Sequence, residues 1–330
     1  MNDPQFWMGG RLASDLIAVT NDPKDIDDGF WAITTTFDGQ FTGAKFAKVE
    51  ESEWITPYKP LRSKKWSTSH SKEEYCQLVE EFRKEIADGY VYQVNACRIL
   101  STPYQESISG LFAQLLGKNP APYASFLSTS RREIASASPE LFLSFQSAPE
   151  GIRVKSSPIK GTSRERAFGE KDQSENIMIV DLMRNDLSRI CRAGSVDVSR
   201  LLGIEEHPGL FHLVSDVTGI LNEDFDWNDF VQALLPAGSI SGAPKSSAVS
   251  LISEFEAFRG PYCGLLGWIE KRGSTIQGVL SVAIRIFWQE NDKLHFGTGA
   301  GITWGSNPAQ EWDETELKAK RLMSIANGGM

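Results

Sequence analysis

Apolar and polar positions recur with two periods along this chain, and the changes of period mark its elements. Over residues 1–65 the alternation is short. The stretch DIDDGFWAITTTFDGQFTG alternates and is punctuated by Gly29 and the Asp38-Gly39 pair, which predicts a β-hairpin. Residues 60–71, PLRSKKWSTSHS, are polar and read as a linker or loop. Ser71 with Glu74 then forms a capping box, Tyr75, Leu78, Val79, Phe82 and Ile86 repeat at helical spacing, and Gly89 stops the helix.

The β-rich run YVYQVNACRIL follows and reads as a buried strand. A short amphipathic helix near 106–117 leads to strands at 122–128, 133–136 and 140–146. A long helix is expected over about 170–190, another from Trp227 and a third after Pro244. Strands return at 262–270, 275–289 and 293–297. The final helix starts at Asn307-Pro308, a capping residue followed by proline in the first turn, and runs to about Ile325. Strands fall in antiparallel-looking groups, with helices interspersed rather than alternating, and no repeat is present. The fold class is therefore α+β with large packed sheets rather than a doubly wound sheet. The expected organisation is a short N-terminal β-rich segment, residues 1–69, packing on a catalytic domain of residues 70–330.

Composition narrows the function. Of 330 residues, 41% are hydrophobic and 23% charged, which is ordinary for a globular protein. A net charge of -9 argues against nucleic-acid binding, which wants a basic face. The cysteines, Cys76, Cys97, Cys191 and Cys263, form no metal-ligand spacing and read as reduced thiols of a cytoplasmic protein. There is no signal peptide pattern and no apolar run of membrane-spanning length, so no membrane partner is expected.

Candidate chemistry gathers at a few positions. Asp172 and Glu175 lie three apart near a helix start, and Glu311 and Glu314 repeat the arrangement in the last helix. Acids are favoured in first turns for dipole reasons alone. Two such pairs facing one another would also offer oxygen ligands to Mg²⁺, and no His/Cys set competes for a softer metal. GTGAGITWGS, from Gly297, reads either as a tight turn or as backbone that lets amides approach an anion. PAGSISGAPKSS lacks the spacing of a phosphate loop and reads as a helix entry. Lys160 stands between Pro158 and Gly161; it is a surface loop lysine unless burial or the neighbouring Lys155, Arg164 and Arg166 lower its pKa. Arg285 interrupts the apolar run VLSVAIRIF and needs a partner, structural or a bound carboxylate. His212, in an apolar strand-like run, reads as a core histidine.

Taken together, SPELF (138–142), PIKGT (158–162), ENIMIVDLMRNDLSRI (175–190), HLVSDVTG (212–219), PAGSISGAPK (236–245), YCGLLGW (262–268), AIRIF (283–287) and GTGAGITWGSNPAQEWDETELKAK (297–320) occur in this order. The set resembles the chorismate-utilising enzymes: the first components of anthranilate synthase and aminodeoxychorismate synthase, and the isochorismate and salicylate synthases. The resemblance covers roughly residues 70–325 and implies antiparallel sheets packed as a sandwich with surrounding helices. Anthranilate-forming members usually carry alanine where this chain has Lys160, and water-using members usually carry a lysine base where it has Gln93. This pattern resembles the aminodeoxychorismate synthase component I branch, which aminates chorismate at C4 for 4-aminobenzoate and folate synthesis.

The resemblance implies roles for single residues. Glu175 and Glu314 match the Mg²⁺-binding glutamates, with Asp172 and Glu311 as companion acids acting through water. Tyr262, Arg285 and the amides of Gly299 and Gly301 match the group that grips the second carboxylate of chorismate. Gly161 and Thr162 would line the ring, and His212 would lie near the leaving hydroxyl. Lys160 would attack C2 as the C4 hydroxyl departs. The chain carries no matching tryptophan-binding motif in its N-terminal region and no glutaminase region, so ammonia is expected from a separate glutamine amidotransferase subunit. No lyase region follows Met330, so the expected product is 4-amino-4-deoxychorismate. Anthranilate synthesis, hydroxyl transfer to isochorismate and a catalytically silent partner-binding subunit are the competing expectations.

Overall fold

In the computed structural model, residues 3–57, 65–163, 165–207 and 210–329 are described, without the side chains of Thr162, His207 and Leu210. Among them the chain forms the strands β1 (Gln5–Met8), β2 (Arg11–Thr20), β3 (Gly29–Thr35), β4 (Phe41–Glu51), β5 (Ser67–Thr68), β6 (Gln93–Pro103), β7 (Tyr123–Ser128), β8 (Glu133–Ser138) and β9 (Leu141–Ala148). The remaining strands are β10 (Gly151–Ser157), β11 (Ile159–Ser163), β12 (Asp197–His207), β13 (Leu210–Ile220), β14 (Gly242–Ala243), β15 (Leu265–Arg272), β16 (Thr275–Val282), β17 (Ile286–Glu290) and β18 (Lys293–Ile302). Helices α1 (Lys72–Ala87), α2 (Ser109–Lys118), α3 (Glu170–Ser188), α4 (Trp227–Leu234), α5 (Gly238–Ser241), α6 (Lys245–Phe255) and α7 (Pro308–Ala326) are set among them.

Every pairing is antiparallel. The ladder runs β5-β6-β18-β17-β8-β7-β1-β2-β4-β3-β15-β16-β9-β10-β13-β12, with β11 also on β13 and β14 also on β6. The N-terminal strands are therefore the bridge between the two halves: β1 pairs with β7 and β3 with β15. Strands β1 to β5 thus share one hydrogen-bonded sheet with the rest. Side chains of both halves, among them Phe6, Trp31, Ile134, Phe145, Leu265 and Ile286, enter one apolar cluster. A second cluster lies under α2 and α7 and is built on Phe112, Phe126, Phe287, Phe296 and Leu322.

Local chemistry accounts for the element ends. Glu74 N–H donates to Ser71 Oγ at 3.2 Å and Ser71 N–H to Glu74 Oε2 at 2.7 Å, the expected capping box of α1. Asn307 Oδ1 accepts from the amides of Ala309 and Gln310 and opens α7. The hairpin at Asp38-Gly39 is present, with Gly39 at φ +84° between β3 and β4. The expected strand 275–289 is two strands. It breaks at residues 283–285, where Arg285 takes φ +53°, a conformation that cannot continue a ladder. The glycine-rich segment from Gly297 is no turn: through Ile302 it lies within β18, paired with β6. Of the expected linker 60–71, residues 60–64 lie outside the described residues, and Ser67–Thr68 pairs with β6.

Candidate active site

Lys160 lies in β11, between the C-terminal part of the sheet and α3. Gly161 beside it has φ +93°, and a Cβ there would sit 3.0 Å from Phe168 Cδ1 and 3.1 Å from Asp172 Cβ. The glycine is needed on both counts. Lys160 Nζ donates to the carbonyl of Ser239 at 3.0 Å. Burial holds the Lys160 amine below the ordinary lysine pKa, Lys318 pushes the same way, and Glu140, Glu175 and Glu314 push back. Among the described residues the cation acting on it is Lys318, from α7, rather than Lys155 or Arg166. Lys155 lies 3.9 Å from Asp216, Arg166 is exposed and Arg164 lies outside the described residues.

Glu140 acts electrostatically on this lysine. It is 5% exposed at the β8–β9 connection, where the Ser239 hydroxyl and the Ile159 backbone act to lower the pKa of its carboxyl. Burial nevertheless raises its pKa; Lys160 and Arg285 oppose that rise. A lysine pushed down and a carboxyl pushed up, with one serine beside both, bring an amine and an acid closer in proton affinity, as proton transfer requires.

The acid pairs stand at two helix ends. Asp172 accepts the Gly169 amide at 3.1 Å and so caps α3, while Glu175 has Lys171 at 3.8 Å. Asn176, the next residue, is buried; it donates to Leu213 O and accepts from Ser215 Oγ, which fixes α3 on β13. On α7, Glu314 pairs with Lys318 at 2.6 Å. Glu311 is 7% exposed, and burial and Glu314 raise its pKa while Ser306 donates to it. Lys171 of α3 acts electrostatically on Glu311, and both Glu175 and Glu314 act on Lys160, so both helix ends lie within electrostatic reach of that lysine. Among the described residues no three His, Cys, Asp or Glu side chains are close enough together to form a ready-made metal cluster. The expected four acids therefore stand as two pairs. Their chemistry suits a hard cation: the donors are all oxygen, and Glu311 beside Glu314 is a like-charge contact that a cation would relieve.

Gln93, the first residue of β6, is buried and its Oε1 has no hydrogen-bond partner among the described residues. Gly301 makes room for it, since a Cβ at Gly301 would lie 2.7 Å from Gln93 Nε2. Gly299 pairs with Cys97, and its carbonyl accepts from Lys318 at 2.9 Å. Tyr262 is buried in the loop before β15, and burial drives its phenol pKa well above the ordinary value. A Cβ at Gly297 would meet the Tyr262 ring at 2.1 Å. Arg285 is half-buried, with Arg321 and Glu140 acting on it electrostatically and no carboxylate in salt-bridge distance among the described residues. His212 is buried on β13, opposite Thr162 of β11 and Glu205 of β12. The Thr162 side chain lies outside the described residues.

The family described as chorismate binding enzyme matches residues 43–324. The chain belongs to the chorismate-binding enzyme family. It is 34% identical over 274 residues to anthranilate synthase component 1 of Aquifex aeolicus (strain VF5), covering 79% of this chain and 54% of that protein. It is 31% identical over 336 residues to aminodeoxychorismate synthase component 1 of Bacillus subtilis (strain 168), covering 93% and 68%. The chain thus spans little more than half the length of the Aquifex relative. In structure it resembles anthranilate synthase component I from Streptococcus pneumoniae TIGR4, with a TM-score of 0.77 at 24% identity over 90% of this chain and 81% of that one. It also resembles MenF, the menaquinone-specific isochorismate synthase of Escherichia coli, with a TM-score of 0.80 at 19% identity over 98% and 88%. These structures share the α+β architecture of large antiparallel sheets with helices.

For this family member the sequence reading missed three contributors: Glu140, Ser239 and Lys318. Glu140 carried the clearest signal. It is a lone carboxylate in the otherwise small and apolar run ASASPELFLSF, the criterion that singled out Arg285. Lys318 resembles any helix-surface lysine four residues after a glutamate. Ser239 acts partly through its carbonyl, which no residue type announces.

Proposed function

We propose that this chain aminates chorismate at C4 with ammonia to give 4-amino-4-deoxychorismate, as a cytoplasmic enzyme serving 4-aminobenzoate and folate synthesis. The observation that carries the reading is Lys160, an amine held at lowered pKa 3.0 Å from Ser239 O and coupled to a buried Glu140. A neutral amine is the form that attacks carbon, and burial favours it. In this reading Lys160 Nζ bonds to C2 of the ring, the ring electrons shift, and the C4–O bond breaks. Glu140 in its acid form gives the departing hydroxyl a proton, so that water leaves. Ammonia then bonds to C4, the electrons shift back, the C2–N bond breaks, and Lys160 is released as an amine. The sum is chorismate plus ammonia to aminodeoxychorismate plus water, with no oxidant or reductant.

Arg285, half-buried and without a carboxylate in salt-bridge distance among the described residues, suits a carboxylate of the substrate in bidentate fashion. Tyr262 and the β18 backbone at Gly299 and Gly301 would border the same group, and Gly161 with Thr162 would border the ring. His212 would lie near the leaving hydroxyl. Glu175 and Glu314 would hold Mg²⁺, with Asp172 and Glu311 as companions through water; the ion would draw charge from the ring carboxylate. Gln93, neutral and without a base's lone pair to offer at neutral pH, fits amine rather than water as the incoming group. Ammonia would come from a separate glutamine amidotransferase subunit.

Anthranilate formation is the second reading, favoured by relatives such as the Aquifex anthranilate synthase component at 34% identity. The test is product identification by mass from chorismate, Mg²⁺ and ammonium salt, with and without an aminodeoxychorismate lyase. The proposal expects aminodeoxychorismate alone and 4-aminobenzoate when the lyase is added. Anthranilate appearing directly would replace it, and turnover without any ammonia source would point to hydroxyl transfer.

A further inference from the structure

Lys245 and Asp186 form a buried ion pair that the proposed chemistry does not use. Asp186 is near the C-terminal end of α3 and is 2% exposed; Lys245 is the first residue of α6. Lys245 Nζ lies 2.5 Å from Asp186 Oδ2 and donates to Leu234 O, the last residue of α4, at 3.0 Å. One ammonium therefore ties together the ends of α3, α4 and α6. The segment between α4 and α6 is clamped at two further points. Gly238 lies so near α3 that a Cβ would come within 2.3 Å of Leu182 Cδ2. Gly242, at φ +136°, lies so near β6 that a Cβ would come within 2.1 Å of Gln93 O, and β14 pairs there with Gln93 and Val94. Between these clamps is Ser239, whose carbonyl accepts from Lys160 and whose hydroxyl acts on the Glu140 carboxyl.

We propose that Asp186 and Lys245 are positioning residues: their ion pair pins residues 237–245 against α3, so that Ser239 meets Lys160 with its carbonyl and Glu140 with its hydroxyl. The proposal rests on the reading of Lys160 and Glu140 as the reacting groups. A buried pair of this kind seldom adds net stability over apolar residues of similar volume. Its contribution here is geometric. It fixes the segment that orients two groups whose chemistry tolerates little displacement.

The double substitution Asp186→Leu with Lys245→Met separates the two contributions. It removes both charges and leaves neither uncompensated, so the melting temperature should stay near that of the parent. With chorismate, Mg²⁺ and ammonium salt, kcat should fall about tenfold or more while KM changes little, the pattern of misplaced reacting groups. Lys160 should also be acetylated faster by acetic anhydride, read by peptide mass against exposed lysines, because its hold on Ser239 is loosened. Parental kcat and parental Lys160 acetylation in a double variant that melts like the parent would overturn the proposal. If the double variant does not fold, Lys245→Arg keeps the charge but not the compact ammonium geometry. The same slower turnover and faster acetylation are expected there, and parental values of both would overturn the claim. If the parent itself does not consume chorismate, the amination reading falls, and the acetylation rates alone decide the positioning claim.

Discussion

Two lysines in this molecule look alike in sequence and differ in what surrounds them. Lys160 follows Pro158 in PIKGT, and Lys245 follows Pro244 in GAPK. Burial lowers the pKa of both. Lys245 has a carboxylate of Asp186 at 2.5 Å and the Leu234 carbonyl at 3.0 Å. Lys160 has the Ser239 carbonyl at 3.0 Å and no carboxylate in salt-bridge distance among the described residues. One ammonium is consumed by its partner and holds helix ends together. The other is destabilised as an ammonium and left able to react. Lys160 is set apart by the absence of a paired charge more than by depth of burial.

That contrast can be broken most severely at Lys160. Lys160→Ala should lower amination by roughly a thousandfold or more, the scale of removing a covalent nucleophile, while chorismate binding by calorimetry stays within a few-fold. Unchanged amination rates would end the covalent role. At the other lysine the loss should be in stability. Lys245→Met leaves Asp186 buried and uncompensated, and denaturant titration should show about 3–5 kcal/mol of lost stability. A loss below ~1 kcal/mol, typical of exposed pairs, would remove the distinction between the two lysines.

Smaller effects sharpen the picture around Lys160. Glu140→Gln should lower kcat about a hundredfold, as expected for a general acid. In the parent, kcat should fall as pH rises through the elevated Glu140 pKa, because the proton donor is lost, and that alkaline limb should be absent from the variant. An alkaline limb kept in the variant assigns the proton to another group. Glu314→Gln should raise the Mg²⁺ concentration for half-maximal turnover about tenfold, equivalent to ~1.4 kcal/mol. Activity unaffected at limiting Mg²⁺ would remove Glu314 from the metal site.

The contrast between the lysines also marks what could be read in the chain beforehand. Local signals did well: the Ser71 capping box, the Asn307-Pro308 start of α7 and the Asp38-Gly39 hairpin each depend on a few adjacent residues, and each is present. The sheet order was not legible, because pairing β1 with β7 or β3 with β15 joins residues more than a hundred positions apart. The β12–β13 hairpin was seen only as the apolar run around His212. The single strand expected over 275–289 failed at Arg285 because a positive φ is a tertiary outcome that the apolar pattern conceals. In the site, the Lys160 position and the acid pairs were visible as motifs, whereas its true cationic neighbour, Lys318, comes from a helix that follows far along the chain. The 157 residues between Lys160 and Lys318 carry no local trace of that contact.

The smallest effect tests the contrast in sign. The folded-state pKa of Lys160 lies below its unfolded value, so folding carries a free-energy cost at every pH where the unfolded chain protonates this amine. The folded chain then binds fewer protons at this site than the unfolded chain as pH rises past the folded pKa. Stability contributed by this group accordingly increases from the folded pKa up to the ordinary lysine value, and the cost is complete below the folded pKa. Replacing the charge with an apolar chain of similar length removes that cost. Lys160→Met should therefore stabilise the fold by about 1 kcal/mol at neutral pH, within the range found when a strained functional group is removed. The gain should shrink as pH approaches about 10.4, the unperturbed lysine pKa. Lys245→Met, whose lysine has its counter-charge, should destabilise at neutral pH. Denaturant titrations of both variants at neutral and alkaline pH decide it: two losses of similar size would mean that Lys160 is a structural ammonium like Lys245.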